Sequence, residues 1–258
     1  MPGGVVTELS TAPARPGEPG SPPARPALET VARLASLPGV DTASGVAATA
    51  EHAHVTGQVL PVSPSLAELL PWGGLRRGST VAVTGSTSLL LALLAEATAR
   101  GSWAAAVGLP RLGLVAAHEL GVAVNRLALV PRPGADFASV TAALLDGVDL
   151  VATAPPQRFG GTQTARRLSA RARHRGGVLL SLGPWPGAEV ELRCTTVSWS
   201  GAEEGHGYLR ERTVVVDVSG RRGASRPFRT SLLLPGPGGA HPASGPGAES
   251  SEEEVKAG

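Results

Sequence analysis

The chain has 258 residues, a formal net charge of +2, a 42% hydrophobic share and a 3% aromatic share. This size is typical of one domain with tails, and no apolar run approaches the roughly 18–20 uncharged residues of a membrane span. A single cysteine, Cys194, excludes an internal disulfide and a cysteine-based zinc cluster. Because the N-terminus also lacks a basic segment followed by an apolar one, we expect a cytoplasmic protein without a signal peptide.

Positive charge is concentrated in the middle of the chain. Residues 72–235 hold nineteen arginines against eleven acidic residues, whereas residues 1–71 and 236–258 are both acidic on balance. The only lysine of the sequence is Lys256, near the C-terminus. The central part therefore has no lysine that could neutralise the phosphates of a nucleotide.

Composition divides the chain into four parts. Residues 1–26 hold seven prolines and four glycines, a composition typical of a disordered tail. Residues 27–59 combine an amphipathic helix, Leu28–Leu37, with a linker. Residues 60–235 alternate apolar strands with helices and form the predicted core. Residues 236–258 are rich in Gly, Pro, Ser and Glu and are predicted to be a disordered acidic tail.

The core is predicted to begin with a short helix, which Ser63 or Ser65 caps and which ends at Leu70. Strands and helices then alternate. The predicted strands are Thr80–Thr84, Trp103–Gly108, Leu127–Val130, Val148–Thr153 and Gly177–Leu182. The predicted helices are Leu89–Arg100, Leu112–Leu120, Asp136–Leu145, which buries Phe137, Val140 and Leu144, and Thr162–His174. This alternation predicts a parallel sheet flanked by helices.

Three further strands follow without helices between them: Ala188–Trp199, Arg212–Val218 and Arg229–Leu234. Their period-two alternation predicts an antiparallel β extension near the C-terminus. We expect Trp72, Trp185 and Trp199 to pack under loops. The predicted fold class is therefore α/β, with a parallel sheet flanked by helices and an antiparallel extension.

The first long strand leads into the turn Gly85–Ser88 and then into an apolar helix. A strand, a glycine turn and a helix are the usual cradle of a nucleotide phosphate, because backbone N–H groups and the helix N-terminus face the anion. The phosphate-loop pattern requires a second glycine, a lysine and a hydroxyl, and this chain has Leu89-Leu90-Leu91 instead. Two hypotheses remain open. Either Gly85, Ser86, Thr87 and Ser88 bind a phosphate weakly, or they form a simple turn that Thr87 or Ser88 caps.

The order of these elements resembles the core of RecA. The stretch SLAELLPWGGLRRGSTVAVTG is similar to the way in which RecA-like proteins lead into their phosphate loop. The stretch from His118 to Thr153 resembles the RecA passage that ends at the second phosphate-side strand, and VELRCTTVSW resembles one of the closing strands. The resemblance covers residues 60–235 and implies a RecA-like fold.

Three positions depart from the RecA pattern. Leu89-Leu90 replace the lysine and the hydroxyl, Leu109-Pro110-Arg111 stand where an ATP-hydrolysing relative has a catalytic glutamate, and Ala152-Thr153 stand where a magnesium-side aspartate is expected. Phosphoryl transfer depends on positioned charge, so an apolar rim cannot catalyse it. We therefore expect no catalytic residue, no cofactor and no metal ion.

The chain is accordingly similar to the non-hydrolysing, RecA-like ImuA-type accessory proteins of actinobacterial mutagenesis cassettes. That resemblance implies a non-catalytic scaffold in translesion synthesis during the SOS response to DNA damage. Its implied partners are an inactive, Y-family-like polymerase subunit of ImuB type and, indirectly, an error-prone DnaE-type polymerase. It also implies a cytoplasmic location, on the nucleoid after DNA damage, and leaves self-association open.

Two alternatives remain open beside the scaffold. One is a divergent ATP-dependent recombinase or ATPase that uses Arg76 or Arg77 in place of the lysine, although these residues precede the strand. The other is a regulatory binding protein of SulA type. Nucleotide binding separates the first alternative from the scaffold, and the identity of the partner separates the second.

An arginine-rich stretch is the second candidate site. It contains Arg158, Arg166, Arg167, Arg171, Arg173 and Arg175. The helix in this stretch is predicted to bury Ala165, Leu168 and Ala172 and to expose the arginines. The arginines are predicted to contact DNA phosphates or an acidic partner; the alternative is a solvated outer helix. Phe159 is the only aromatic residue nearby in sequence, although single-stranded DNA binding usually uses aromatic stacking.

Overall fold

The computed structural model describes residues 57–155, 160–203, 206–220, 228–236 and 239–242. The predicted tail at 1–26, the helix Leu28–Leu37 and Arg158 lie outside these residues. The predicted acidic tail lies outside them as well, apart from Gly236 and residues 239–242.

The described residues contain eleven strands. Their bounds are β1 (Val59–Leu60), β2 (Leu75–Arg76), β3 (Thr80–Thr84), β4 (Ala104–Val107), β5 (Leu127–Val130), β6 (Leu150–Thr153), β7 (Val178–Leu182), β8 (Val190–Glu203), β9 (His206–Gly220), β10 (Phe228–Gly236) and β11 (Gly239–Pro242). Nine of them form one sheet in the order β11-β10-β9-β8-β3-β7-β6-β4-β5. The strands from β8 to β5 in this order are parallel, and β9, β10 and β11 add antiparallel pairs on the β8 side.

Helices cover both faces of the parallel strands. Their bounds are α1 (Pro64–Ala67), α2 (Thr87–Ala99), α3 (Leu114–Glu119), α4 (Phe137–Gly147) and α5 (Gly161–Arg175). Val81 and Val83 of β3 pack in one apolar layer with α2 and α3, whereas Ala82 packs in the other with α4 and α5. Because both faces are covered, the central strands are apolar at nearly every position, as parallel strands require.

The observed architecture confirms the predicted mixed α/β class with parallel strands, flanking helices and an antiparallel extension. The bounds of β3 and β5 agree with the prediction to the residue, and those of β4, β6 and β7 differ by one or two residues at an end. The extension differs in one respect. Its first strand, β8, is parallel to β3 and antiparallel only to β9, so it joins the two halves of the sheet.

The step from β7 to β8 crosses β3 without a helix. Trp185 lies in this crossing, is 2% exposed and packs in the apolar layer of α4 and α5. Its Nε1–H donates a hydrogen bond of 2.9 Å to Oγ of Ser169, and Thr80 Oγ1 donates to the same oxygen at 3.1 Å. One large side chain thus covers the area of the sheet that a crossover helix would otherwise bury, while Trp199 remains 47% exposed.

All five helices differ from their predicted bounds by one to three residues at an end, and two of them differ further. α1 ends at Ala67 rather than Leu70, and Ser63 occupies the N-cap without a side-chain hydrogen bond to the helix. α4 buries Phe137, Thr141 and Leu145 fully, whereas the predicted Val140 and Leu144 are only partly buried against the same apolar layer. The threonine is tolerated in the apolar layer because its hydroxyl donates to the carbonyl oxygen of Phe137 at 2.6 Å, which removes the cost of an unpaired hydroxyl.

β11 lies within the segment that was expected to be an acidic tail. It pairs with β10 in antiparallel register, Leu232 opposite Pro242 and Leu233 opposite His241. Ala240 on this strand is buried. Four residues of Gly, Ala, His and Pro carry no strand signal of their own, so only pairing with β10 defines them as a strand.

Candidate functional site

The turn at the phosphate-loop position is closed by the protein's own backbone. Gly85 follows β3 with φ +88° and faces β8. A Cβ atom at this position would overlap the carbonyl oxygen of Cys194, far inside van der Waals contact. Only glycine fits both the positive φ and this close approach. The glycine that the sequence assigned to a phosphate cradle is therefore required by the packing of the turn against β8.

Ser86 caps α2, where Thr87 or Ser88 was predicted to be the cap. Its backbone is extended and its Oγ accepts a hydrogen bond of 3.1 Å from the N–H of Leu89. Thr87 and Ser88 are the first two residues of the helix itself. The helix starts earlier than predicted because the residue that caps it is the one that directly follows the glycine.

Arg212 of β9 reaches across to this helix start. Its Nη2 donates to Ser86 Oγ at 2.9 Å, and its Nε donates to the carbonyl oxygen of Leu234 on β10 at 2.7 Å. The guanidinium also stacks on the ring of Trp199, 5.3 Å from the ring centroid. A cation from the antiparallel extension thus lies beside the N-terminus of α2, and two of its donors bond to protein acceptors. Sequence reasoning missed Arg212 because β9 is far from the turn along the chain.

Cys194 completes this cluster from β8. Burial raises the pKa of the Cys194 thiol, while a hydrogen bond with Ser86 and the charge of Arg212 act in the opposite direction. The thiol is buried and forms no disulfide. It behaves as a small buried group, as predicted from the sequence.

The lysine position of a phosphate loop is occupied by core side chains. The side chains of Leu89, Leu90 and Leu91 are each at most 2% exposed. They belong to the apolar layer between α2 and the sheet. A lysine here would have to bury its charge, which costs several kcal/mol without a partner. The three leucines therefore stabilise the fold at the place where the phosphate-loop pattern has its charge.

Replacing Ser86 by alanine is expected to lower the free energy of unfolding by about 1–2 kcal/mol, because α2 loses its N-cap and Arg212 loses an acceptor. Chemical denaturation monitored by circular dichroism measures this change. Ser88→Ala is the matched control, because Ser88 lies inside the helix and is not its cap. Equal losses in the two variants would show that the cap and the Arg212 contact contribute nothing.

A cavity of about 270 Å³ opens beside the turn, at the carboxyl ends of β4, β6 and β7. Its wall is mainly apolar, from Leu109, Leu112, Pro155 and Leu182, with Thr87 and Arg111 as polar groups. Open α/β sheets bind their ligands at this edge. The described lining has no acidic residue, so it supplies neither a metal ligand nor a general base of the carboxylate type.

Arg76 and Arg77 lie at the opposite edge of the sheet, before β3. Arg76 forms an ion pair with Glu189 at 2.6 Å, and Arg77 with Asp149 at 2.7 Å. The other carboxylate oxygen of Asp149 accepts the backbone N–H of Trp103 at 2.9 Å. These charges thus join the beginnings of neighbouring strands and are directed away from the Gly85 turn.

The arginines of α5 are partly neutralised. The predicted buried stripe of Ala165, Leu168 and Ala172 is confirmed. Asp146 at the end of α4 pairs with two of the arginines, Arg171 and Arg175. The hydrogen bond from Arg171 holds the pKa of the Asp146 carboxyl below its usual range.

Three other α5 arginines differ in their environment. Arg173 lies 3.7 Å from Glu189, while Arg166 and Arg167 are exposed and form no ion pair within the described residues. The sequence showed no acid within this stretch, but Asp146 and Glu189 reach it from α4 and from the start of β8. The helix is therefore less positive than its own sequence indicates.

Other site types find no support in the part of the chain that the structure describes. Within it, no group of three His, Cys, Asp or Glu side chains is placed to hold a metal ion. None of the helices described there is long and apolar enough to cross a membrane.

Part of the chain is similar to known sequences. A family model described as the MT3502 N-terminal domain matches residues 68–187, which include the Gly85–Ser88 turn and α5 and end before β8. The uncharacterized protein Rv3395c of Mycobacterium tuberculosis (strain ATCC 25618 / H37Rv) is 42% identical over 128 residues, which span 48% of this chain and 63% of the relative. The chain is thus similar to the MT3502 N-terminal domain through most of its parallel α/β part, and to a mycobacterial protein over about half its own length.

Proposed function

We propose that the protein is a RecA-like, non-hydrolysing accessory protein of ImuA type, which acts as a scaffold for polymerase subunits in DNA-damage tolerance. One observation carries the proposal. The strand–turn–helix unit is retained, but Gly85 packs on the Cys194 carbonyl, Ser86 caps the helix with its own oxygen, and buried leucines replace the lysine. The unit forms the centre of the fold, and its glycine, serine and leucines are occupied in packing and capping rather than in binding a phosphate.

The architecture supports the RecA-like part of the proposal. The resemblance implies a central strand before the turn, an alternating α/β body and closing strands that form a meander. β3 lies between the parallel body and β8, and β9 to β11 continue on that side as antiparallel strands. The similarity to a mycobacterial protein supports the actinobacterial part, and that relative is itself described as uncharacterized.

The placement of charge favours the scaffold over the ATPase alternative. An ATPase that uses Arg76 or Arg77 would need their guanidinium groups at the turn, and both are paired at the opposite edge. No observation in the described residues specifically supports a regulatory protein of SulA type. Co-expression with an ImuB-type subunit and, separately, with a cell-division protein distinguishes the scaffold from the SulA-type protein. Co-purification of the ImuB-type subunit supports the scaffold, and co-purification of the cell-division protein supports the SulA-type alternative.

Nucleotide binding tests the proposal directly. Addition of about 1 mM ATP with magnesium is expected to move the thermal midpoint by less than about 1 °C, with hydrolysis at background. A site with a Kd of about 10 μM would add about 2.7 kcal/mol, and the midpoint would rise by several degrees. Such a shift, or hydrolysis above background, would refute the scaffold. An active recombinase measured in parallel shows that the assay detects binding.

A further inference from the structure

The six parallel strands begin at one edge of the sheet, which we call the amino edge. Trp103 precedes β4 and Arg126 precedes β5 at one end of this edge, and Arg76 and Arg77 precede β3 towards the other end. The last turn of α5 lies between them, because α5 leads into β7. With neighbouring strands about 4.8 Å apart, the amino edge is about 24 Å long.

Hydrogen bonds hold the amino edge in a fixed arrangement. Asp149 accepts from Arg77 at 2.7 Å through one oxygen and from the Trp103 N–H at 2.9 Å through the other. Arg77 also donates to the carbonyl oxygen of Gly176, directly after α5, at 3.5 Å. Arg126 donates to the carbonyl oxygen of Gly101 at 2.8 Å. The side chains of Arg77, Asp149 and Arg126, at three different strand beginnings, are therefore positioned before any ligand binds.

The amino edge has more positive than negative charge. Five arginines, Arg76, Arg77, Arg171, Arg173 and Arg175, share three acidic partners, Asp146, Asp149 and Glu189. Arg100 adds no net charge because it pairs with Glu96. The Arg173 side chain is 64% exposed, and Arg126 forms no ion pair within the described residues. Such an excess attracts a polyanion.

Two tryptophan rings lie beside these cations, and one of them is exposed. Trp103 is 49% exposed, and the guanidinium of Arg126 lies 5.6 Å from its ring centroid. Trp72 is half-buried, with Arg76 at 4.5 Å from its ring. The sequence offered only Phe159 near the arginine-rich helix, whereas the fold brings two tryptophans from other segments to the same edge. Alternation of aromatic rings with arginines is typical of surfaces that bind single strands.

We propose that the amino edge binds single-stranded nucleic acid, with a base stacked on Trp103 and phosphates neutralised by Arg126, Arg173 and Arg175. This surface lies at the opposite edge from the Gly85 turn and does not require a nucleotide there. It adds a nucleic-acid contact to the scaffold proposed above and rests on it only for the biological setting. An acidic protein is the competing ligand, and it would use the charges without the stacking.

Fluorescence anisotropy of the full chain with labelled oligo-dT of about 20 nucleotides, at about 50 mM salt, tests the inference. Binding is expected to weaken steeply with salt. Trp103→Ala is expected to weaken it about tenfold through loss of stacking and to remove most of the tryptophan quenching by the oligonucleotide. Asp146→Asn is expected to tighten binding, because it frees Arg171 and Arg175. Oligo-rU shows whether the surface distinguishes RNA from DNA.

A pair of double variants on α5 is the matched control. Arg173→Gln with Arg175→Gln should reduce the salt slope by about two, whereas Arg166→Gln with Arg167→Gln makes the same charge change on the same helix away from the edge and should leave binding nearly unchanged. Circular dichroism confirms that each variant is folded. Equal losses in the two pairs, wild-type binding by Trp103→Ala, or no binding by the wild type at low salt would each overturn the inference. None of these results affects the nucleotide or partner tests.

Discussion

Replacement of Gly85 by alanine is expected to destabilise the protein by about 4 kcal/mol, which lowers the thermal midpoint by roughly 10 °C. Two costs add. The backbone has φ +88°, which strains a residue with a side chain, and the new Cβ would overlap the Cys194 carbonyl oxygen. Because that oxygen belongs to the backbone of β8, it cannot move without disturbing the pairing of β8 with β3. Thermal and urea denaturation measure the loss.

Gly101→Ala is the control for Gly85→Ala. Gly101 also has a positive φ, +103°, but nothing lies within 4 Å of the position of its Cβ. This variant should therefore lose only the strain, about 1–2 kcal/mol. If both variants lost the same amount, the close approach of β8 to the turn would be refuted, and with it the closed cradle that carries the proposed function.

Replacement of Trp185 by alanine is expected to cost about 3–5 kcal/mol. The side chain is 2% exposed and is the largest among the fully buried ones, so its removal leaves a cavity between α5 and the sheet. Since the crossing from β7 to β8 has no helix, no other element there can fill the space. Urea denaturation of the purified variant measures the change.

Two further substitutions separate the contributions to this loss. Trp185→Phe should cost less, because the ring remains and Ser169 keeps the hydrogen bond from Thr80. Trp103→Ala removes the same side chain at a 49% exposed position and should change stability by no more than about 1 kcal/mol. A Trp185→Ala loss as small as that of Trp103→Ala would contradict the packing described for the crossing.

The order of strands and helices was predictable from the sequence because short apolar runs alternate with longer segments of helical spacing, and glycine or proline lies near most of the boundaries. β5 was predicted to the residue, and the buried stripe Ala165, Leu168 and Ala172 follows directly from helical spacing. The register of α4 was not predictable. Thr141 has a polar side chain, so helical spacing alone does not predict its burial. Its burial becomes favourable only because its hydroxyl donates a hydrogen bond to the Phe137 carbonyl oxygen.

The candidate sites were predictable to different degrees. The absence of a lysine from residues 72–235 and the three leucines after the turn are facts of the sequence, so the departure from the phosphate-loop pattern could be recognised without a structure. The closing groups of the turn were not predictable, because Cys194, Arg212 and Leu234 lie more than a hundred residues away along the chain. The arginines of α5 are evident in the sequence, but their neutralising partners, Asp146 and Glu189, come from neighbouring elements.

The sequence by itself determined the alternating α/β pattern, the run of three leucines after the Gly85–Ser88 turn and the arginine excess of residues 72–235, because these depend on residue type and local spacing. Only the tertiary structure decided which strand pairs with which. It placed β8 beside β3 and thereby brought its backbone against Gly85. It also aligned the beginnings of six strands, so that Trp103 and Arg126 meet the end of α5 at one edge. Contacts of this kind depend on chain segments that are distant in sequence, and no local pattern encodes them.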